Sequence, residues 1–375
     1  MKVLYIGHYK EDSGWSRAAI NNILALDAAG VNVVCRDIKL TNKPYELPDK
    51  IIELEKKSAK NSTHCIQNVL PHHFMCTDIF KKNIAYNFSE SITTTKNLWH
   101  LHLEMADEVW VTNTELHNHV RRVINNKIKV IHQAVDTSVY TKEYSKINFG
   151  NAESDFKFYF IGDLNDRKNL KSLIRCYYRS FNANDSVLFL IKVKKHGVSE
   201  QALDAQCRKL CEEIQNEMRI YADVKKYPAI QFITSNVDDD FIYALHQQCD
   251  CFLGASHGEA WSLPAFDAMC FGSTPIVSCE GGPKEFIDPK DRNKGTLITG
   301  TYGICNEQNG AFSHLFTGSE LWFNPSEEAI CVAMKYYYGK RHTKDVTGCE
   351  NYGEEFNLRN IGYKMKELLH EQNPA

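Results

Sequence analysis

The sequence lacks several patterns that assign a protein to a common class. Its 13 cysteines contain no CxxC pair, so they predict neither a zinc ribbon nor a thioredoxin-like site. No apolar run approaches the roughly 18 residues of a membrane span, and the N-terminal apolar run of five residues is too short for a secretory signal. We therefore expect a cytoplasmic protein whose cysteines stay reduced and mostly buried.

An excess of one sign of charge and the glycine-rich nucleotide loops are also missing. The formal net charge is −3, which argues against a surface that binds nucleic acid along its whole extent. No GxGxxG follows the first predicted strand, and GxxxxGK[ST] does not occur. A dinucleotide-dependent dehydrogenase is therefore a poor interpretation.

The sequence does contain a regular alternation of apolar strands and amphipathic helices over its 375 residues. "KVLYIG" (2–7), a helix that stops at Gly30 and "VNVVCRDI" (31–38) predict a first parallel β-α-β unit. The alternation starts again at "FKFYFIG" (156–162). This pattern predicts an α/β protein with two Rossmann-like, doubly wound parallel-sheet domains that face an interdomain cleft.

The predicted domain limits follow from where this alternation pauses. Residues 1–140 form an N-terminal Rossmann-like domain, and the polar, aperiodic stretch 141–155 is interpreted as the linker. Residues 156–345 form a C-terminal Rossmann-like domain. The last stretch, 346–375, holds an amphipathic helix that we expect to pack back toward the N-terminal domain.

One stretch, "HGEAWSLPAFDAMCFGSTPIVSCEGGPKEF" (257–286), concentrates residues that a plain core segment would not use. It follows the predicted strand "CDCFLGAS", and ligands of open α/β sheets bind beyond the carboxyl ends of strands. Pro264 suits the first turn of a helix, where its missing N–H is not needed. Glu259 is then predicted in the loop before that helix, and Asp267 one turn into it.

The start of this helix predicts a binding site for a phosphate. The N–H groups of Trp261, Ser262 and Leu263 lie at the helix N-terminus, where unpaired donors and the helix dipole favour an anion. Carboxylates repel phosphate, so Glu259 and Asp267 suit hydroxyl groups on either side of it, such as those of a sugar and a ribose. The alternative is that both acids are ordinary helix-capping residues.

The same stretch resembles the donor-binding signature of the family 4 glycosyltransferases, which have the GT-B fold. That signature has two acids around a Leu-Pro turn, followed by Gly-Gly-x-x-Glu. Here seven residues separate Glu259 from Asp267, and Gly281, Gly282 and Glu285 follow. The resemblance implies a retaining transfer of a hexose from a UDP- or GDP-sugar to a hydroxyl acceptor. It places Glu259 on the donor sugar, Asp267 on the ribose, and four further residues around the donor: Ala260, Trp261, Ser262 and Leu263.

A basic loop in the second half carries part of the same resemblance. "FYFIGDLNDRKNLKSLIRCY" (158–177) resembles the first strand and loop of the donor domain, in which a Lys and an Arg neutralise the donor diphosphate. Lys168 matches the Lys. The family Arg usually follows the strand glycine, where this chain has Asp163, and Arg167 is assigned its role. Because two side-chain cations would meet the diphosphate, the resemblance implies neither a metal ion nor a cofactor.

The resemblance is weakest in the half that would bind the acceptor. "MADEVWVTNTEL" and "KVIHQAVDTSVY" agree with it, and it covers about residues 85–290. It implies that the N-terminal domain binds the acceptor, a glycan or a lipid- or protein-linked sugar. Gly14, in the loop after the first strand, would let the backbone approach the donor phosphates.

Three residues are candidates for the acceptor side. The family often has a catalytic histidine at the end of the fourth strand, where this chain reads "AYNFSES". Ser89 or Glu90 therefore stands near that place, and Glu90 is the candidate catalytic residue. His72 and His73 in "VLPHHF" are candidates on the acceptor side. The alternatives are a surface strand end for Glu90 and a polar loop for the histidines.

Other polar motifs have simpler interpretations. "TSNV" (234–237) is predicted to line the nucleobase pocket through its backbone, with Val237 in contact. The Asp-x-Asp of "VDDDF" (237–241) is typical of a helix start, so we expect no metal site. The lysine clusters at 192–196 and 224–228 are predicted as solvated faces. They would allow peripheral contact with a membrane if the acceptor is a lipid.

Two other function classes stay open at this stage. The first is a sugar-nucleotide epimerase or a phosphorylase on the same fold, which would need acid–base residues around the sugar or a Schiff-base lysine. The second is a non-catalytic subunit that binds a nucleotide-sugar and supports a partner enzyme. Asp163 and the missing histidine are the features that favour it.

Overall fold

The computed structural model describes residues 1–39, 46–90, 95–305, 316–341 and 353–371. The chain divides into two compact units. The first joins Met1–Val139 to Asn351–Ala375, and the second is Tyr140–Glu350.

The first unit is a parallel sheet of six strands with helices packed on it. The strand order is β2-β1-β3-β4-β5-β6, and every neighbouring pair is parallel. The strands are β1 Lys2–Gly7, β2 Asn32–Asp37, β3 His64–Asn68, β4 Lys82–Asn87, β5 Glu108–Val111 and β6 Lys127–Val130. The helices are α1 Gly14–Ala28, α2 Asp49–Lys56, α3 Trp99–Glu104, α4 Thr114–Val120, α11 Glu354–Phe356 and α12 Leu358–His370.

The C-terminal helix α12 packs tightly against α1. A Cβ atom on Gly362 would lie 1.9 Å from the carbonyl oxygen of Ala25, so only glycine permits this approach. Lys366 Nζ donates to the carbonyl of Ala29 at 2.8 Å, and Lys82 Nζ donates to the carbonyl of Leu368 at 3.1 Å. The end of the chain thus completes the first unit.

The second unit repeats the architecture with a different strand order. Its six parallel strands run β12-β11-β10-β7-β8-β9, and an antiparallel pair, β13 and β14, is added. The strands are β7 Phe156–Asp163, β8 Val187–Lys194, β9 Ala229–Ile233, β10 Cys251–Gly254, β11 Thr274–Ser278, β12 Thr296–Ile298, β13 Gly300–Ile304 and β14 Leu321–Pro325. The helices are α5 Leu170–Ser180, α6 Glu200–Met218, α7 Asp239–Gln248, α8 Leu263–Cys270, α9 Pro283–Phe286 and α10 Glu327–Lys340.

The predicted fold class is confirmed: both units are doubly wound α/β sheets. The central strands of the second unit are buried on both faces, which is why β8 reads as the nearly unbroken apolar run "VLFLIKVK". One interpretation from sequence is wrong. Lys192 in this strand is 7% exposed and donates to the Val193 carbonyl at 3.3 Å, so the cluster at 192–196 is not wholly solvated.

The segment interpreted as a linker is bound to the second unit. Glutamines at the end of α7 supply side-chain partners for its backbone. Gln247 accepts from the N–H of Tyr144 at 3.1 Å and donates to the carbonyl of Lys142 at 3.0 Å. Gln248 accepts from the N–H of Ile147 at 2.8 Å. The polar stretch is therefore ordered by contacts that its own sequence does not reveal.

Candidate functional site

The candidate site lies at the carboxyl ends of β7 and β10, two neighbouring strands in the middle of the second sheet. The loop after β7 carries Arg167 and Lys168, and the loop after β10 carries Glu259. Because parallel strands bring their carboxyl ends to one edge, these two loops meet. The site is thus assembled from segments about 90 residues apart in the chain, since Lys168 and Glu259 are 91 positions apart.

Glu259 is held by two cations. Lys168 Nζ donates to Glu259 Oε1 at 2.5 Å, and Arg167 Nη1 lies 3.4 Å from the same oxygen. The three side chains are only 11–15% exposed. Arg167 also donates to the carbonyl of Gly258 at 2.9 Å, which fixes the backbone next to the carboxylate. The group carries a net charge of about +1 in this arrangement, from two cations and one carboxylate.

The charge state of Glu259 follows from this environment. Burial alone would raise the pKa of the carboxyl, because a dry surrounding disfavours the anion. Lys168 and Arg167 outweigh that effect, and a hydrogen bond from Ser256 adds to theirs, so the pKa of Glu259 lies below its ordinary value. The carboxylate is therefore ionised at neutral pH and acts as a hydrogen-bond acceptor.

His257 anchors the same loop, although sequence reasoning gave it no role. Its N–H donates to the carbonyl of Arg167 at 2.8 Å, and its Nδ1 donates to the carbonyl of Phe323 at 2.8 Å. Its ring stacks on Trp322 with centroids 5.0 Å apart. Burial lowers the pKa of His257, so the ring is neutral at pH 7. The only signal in the sequence is its position at the start of the stretch 257–286.

The Gly-Gly pair, Gly281 and Gly282, packs directly against the loop that carries Glu259. A Cβ atom on Gly281 would lie 2.0 Å from the carbonyl oxygen of Glu259, and one on Gly282 would lie 2.2 Å from the Cα of Trp261. Gly281 also has a φ of +64°, in the left-handed region that favours glycine. The N–H of Gly282 donates to the carbonyl of Glu259 at 3.1 Å. The two glycines thus allow direct backbone contact between the Gly-Gly turn and the loop that carries Glu259, and this contact fixes the position of Glu259.

Helix α8 begins with an unusual backbone conformation at Ser262. Its φ of 72° and ψ of 67° lie in the left-handed region, which is costly for a residue with a Cβ atom. In the described part of the chain, no acceptor meets the N–H of Ser262 or Leu263. Free donors at a helix start are what an anionic oxygen requires.

The side chains next to this helix start are largely structural. Trp261 is 4% exposed, and its ring packs against Phe266 and Phe286. Ala260 and Leu263 are 8% and 9% exposed. Their predicted contact with a donor can therefore only come from the backbone.

Asp267 is in the helix where the sequence predicts it, but its side chain already has a partner from another segment. It lies in α8 with only 1% exposure, and the hydroxyl of Tyr140 donates to its Oδ1 at 2.7 Å. The ring of Tyr140 packs edge-on against Phe271 at 5.2 Å. In this structure Asp267 holds Tyr140 against α8, and its contact with a ribose stays a prediction.

Two further residues of interest, Val237 and Asp163, lie at the same edge of the second sheet. Val237 is half-buried between β9 and α7, and its neighbour Asp238 lines a cavity of about 660 Å³ together with Ile233. Asp163 ends β7 in register with Lys194 and is exposed. No cation replaces the expected Arg at that position on β7, so the second cation of the site comes from Arg167 in the loop.

The remaining candidates lie in the first unit. Gly14 begins α1, is exposed, and has no atom within 4 Å of the space that a Cβ would occupy. Glu90 is half-buried three positions after the end of β4. His72 and His73 form the 3₁₀ turn Pro71–His73, with ring centroids 4.1 Å apart. The structure brings the two histidines together, and it adds a residue that sequence reasoning missed, His8, whose ring lies 6.2 Å from that of His73.

The described residues contain neither a cluster of metal-ligating side chains nor a membrane-spanning helix. Among them, no group of three or more His, Cys, Asp or Glu residues has the spacing of a metal site. None of the helices described is long and apolar enough to cross a membrane.

Part of the second unit matches a known protein family. Residues 141–302 match the family model "Glycosyl transferases group 1". A glycogen synthase from Bordetella petrii is 29% identical over 100 residues, which is 26% of this chain. The match spans only 19% of that enzyme's length.

Solved structures resemble the whole chain. Sucrose-phosphate synthase from Thermosynechococcus elongatus has a TM-score of 0.64 at 16% identity, with 98% of both chains covered. HepE from Anabaena, solved in complex with UDP-glucose, has a TM-score of 0.65 at 13% identity, with 98% of this chain and 99% of that chain covered. Two parallel six-stranded sheets and these neighbours establish the GT-B fold for this chain.

Proposed function

We propose that this protein is a retaining glycosyltransferase that moves a hexose from a UDP- or GDP-sugar to a hydroxyl group of a glycan or a lipid-linked acceptor. The observation that carries the proposal is the buried group of Lys168, Arg167 and Glu259 beside the free N–H groups that begin α8. Residues 141–302, which match the glycosyltransferase family model, include all of these residues.

The cations act on the leaving group. When the bond between the anomeric carbon and the diphosphate oxygen breaks, negative charge grows on the diphosphate. Lys168 and Arg167 are in place before the reaction, so they stabilise that charge without reorganisation. The N–H groups of Ser262 and Leu263 add hydrogen bonds to the phosphate oxygens. This arrangement needs no metal ion or cofactor for leaving-group stabilisation.

Glu259 orients the donor sugar. An ionised carboxylate accepts hydrogen bonds and cannot donate them, so it suits sugar hydroxyl groups. Its shared contacts with Lys168 and Arg167 couple the position of the sugar to that of the diphosphate. The acceptor oxygen then bonds to the anomeric carbon as the bond to the diphosphate breaks, and the acceptor proton passes to the departing diphosphate oxygen. Glu90 is proposed as the catalytic group of the first unit on this acceptor side.

The remaining donor contacts are proposals that follow from position. Val237 would border the nucleobase, Asp267 would meet the ribose, and Gly14 would leave room for phosphates. The backbone of Ala260 and Trp261 would face the donor, since their side chains are buried. Substitution of Val237, Asp267 or Gly14 should therefore weaken donor binding.

Release of nucleotide from UDP-, GDP- and ADP-sugars, with donor binding measured in parallel, tests the proposal. We expect one donor to be both bound and turned over, and the product to keep the anomeric configuration of the donor. An inverted product would contradict the retaining assignment, and no binding of any donor would contradict the whole proposal.

One observation favours a second candidate function. Asp163 is exposed at the end of β7, where the family resemblance expects the diphosphate-binding Arg. A weakened diphosphate site fits a non-catalytic subunit that binds a nucleotide-sugar for a partner enzyme. Donor binding without nucleotide release, even with cell extract added as an acceptor source, would identify that function.

A further inference from the structure

Buried polar atoms without partners gather at one edge of the first sheet. Five such atoms lie at or just beyond the carboxyl ends of the adjacent strands β2, β1, β3 and β4, and none has a hydrogen-bond partner among the described residues: His8 Nε2, Asp37 Oδ2, Asn68 Oδ1, His73 Nδ1 and Asn87 Nδ2. Folded proteins nearly always give buried polar atoms a partner. Such a concentration therefore points to a ligand.

His8 is the best defined of these groups. It follows β1 directly and is 1% exposed. Its Nδ1 lies 2.6 Å from the carbonyl oxygen of Ile38, and a carbonyl only accepts, so Nδ1 carries the proton. Burial lowers the pKa of His8, and the ring is neutral. Nε2 is therefore an acceptor that needs a donor from outside.

The other atoms are also mostly acceptors. Asn68 donates through Nδ2 to the carbonyl of Tyr86 at 3.0 Å, which assigns its free atom, Oδ1, as an acceptor. Asp37 receives the N–H groups of Tyr9 and Lys10 on Oδ1, which leaves Oδ2 as an acceptor. Only Asn87 Nδ2 must donate.

Neighbouring aromatic rings pack against one another between these polar groups. The ring of His8 lies 6.0 Å from that of Trp15 and 6.2 Å from that of His73. Trp15 lies 5.6 Å from Phe88, which follows β4. Trp15 keeps part of its surface exposed, so an apolar face stands beside the polar atoms, as a sugar ring requires.

We propose that this edge, with His8 at its centre, binds an uncharged, hydroxyl-rich sugar and excludes acceptors that carry a phosphate. The proposal rests on the proposed function and narrows it to one chemical class of acceptor. His8 is a specificity-determining residue in it: Nε2 accepts a hydrogen bond from a sugar hydroxyl.

The balance of donors and acceptors distinguishes the two classes of ligand. A hydroxyl group both donates and accepts, so hydroxyls can satisfy His8 Nε2, Asp37 Oδ2 and Asn68 Oδ1 as well as Asn87 Nδ2. A phosphate dianion offers only acceptors, and it would face three acceptor atoms, one of them on a carboxylate. Lys10, which is close in sequence, is already paired with Glu55 at 2.7 Å.

Ligand-observed NMR on the full chain with UDP present tests the proposal. The probes are glucose, galactose, mannose, N-acetylglucosamine and maltose, compared with glucose 6-phosphate and fructose 6-phosphate. We expect at least one neutral sugar to bind and neither sugar phosphate to bind. His8→Phe keeps an aromatic ring but removes Nε2 together with Nδ1, which donates to the Ile38 carbonyl. Loss of the Nε2 acceptor should weaken sugar binding by about tenfold, the equivalent of one lost hydrogen bond.

Two further variants make the result specific. His64→Phe alters a half-buried histidine at the opposite end of β3 and should leave sugar binding unchanged. Asp37→Asn keeps the shape of its side chain and should weaken binding of the neutral sugar while removing the charge that repels a phosphate.

Binding of a sugar phosphate in preference to neutral sugars, no binding of any neutral sugar, or equal binding by wild type and a folded His8→Phe would each overturn the inference. UDP and GDP binding by the same samples separates the two proposals, because a wild type that binds neither nucleotide would count against the proposed function instead.

Discussion

Gly282 lies directly against the backbone of Trp261: a Cβ atom on Gly282 would lie 2.2 Å from the Trp261 Cα and 2.6 Å from its carbonyl oxygen. Backbone atoms cannot move aside as the end of a flexible side chain can. The contact therefore ties the Gly-Gly turn to the loop that carries Glu259. The contact explains why the sequence has a Gly-Gly pair at this position.

Gly282→Ala should destabilise the protein by about 1–3 kcal/mol or more, because the added methyl group forces the two segments apart. Donor binding should fall with it, since Glu259 and the start of α8 would shift. Gly339→Ala is the matched control, because Gly339 lies in α10 with nothing within 4 Å of the added Cβ. It should leave stability unchanged or raise it slightly. Urea unfolding of both variants measures this; equal stability of the two would contradict the contact.

The pairing of Lys168 with Glu259 predicts a non-additive response. Lys168→Met removes the nearer of the two cations that pair with the buried carboxylate, so it should destabilise strongly. Adding Glu259→Gln should recover much of that loss, because the uncompensated charge is removed. Turnover of the donor should stay low in the double variant. A double-mutant cycle by denaturant unfolding checks this, and simple additivity would count against the pair.

Acid should weaken the second unit through the same carboxylate. The pKa of Glu259 in the folded protein lies below its ordinary value of 4.5. Its contribution to stability is therefore complete above about pH 4.5 and is lost as the pH falls toward the folded pKa. Unfolding free energies of wild type and Glu259→Gln should converge as the pH is lowered. If the difference between the two unfolding free energies grew on acidification, that result would contradict a lowered pKa for Glu259.

Tyr140 and Asp267 separate a structural role from a binding role. Tyr140→Phe removes the hydroxyl that donates to Asp267 at 2.7 Å, and should cost about 1–3 kcal/mol of stability. If Asp267 also binds the ribose, Asp267→Asn should weaken binding of the nucleotide-sugar more than binding of the free sugar. Calorimetric titration with the nucleotide-sugar and with the free sugar compares the two. Unchanged donor affinity in a folded Asp267→Asn would assign the residue to structure alone.

Buried parallel strands explain why so much of the fold could be predicted. Strands such as β7 and β8 carry continuous apolar runs, and the intervening helices show clear periodicity. The strand β3, "HCIQN", was not predicted from the sequence because its buried residues Gln67 and Asn68 are polar. Gln67 donates to the carbonyl of Met75 and Asn68 to that of Tyr86. Such partners appear only when the chain is folded.

The candidate site was predictable in part for the same reason. Spacing within one stretch predicts Glu259 in a loop and Asp267 in a helix, because both positions depend on local structure. The pairing of Asp267 with Tyr140 joins residues 127 positions apart, and no local pattern announces it. The free acceptor on His8 depends on Ile38, 30 positions away. Long-range contacts therefore decide which donor and acceptor atoms of each polar group remain available to a ligand.

Release of nucleotide by wild type, Glu259→Ala and Glu328→Ala is the measurement that tests the central claim most directly. Glu328 is an exposed acid in α10 and serves as the control. We predict that wild type and Glu328→Ala release nucleotide from one donor at similar rates. A folded Glu259→Ala should lose about 100-fold or more. Full activity in Glu259→Ala would contradict the assignment of the site.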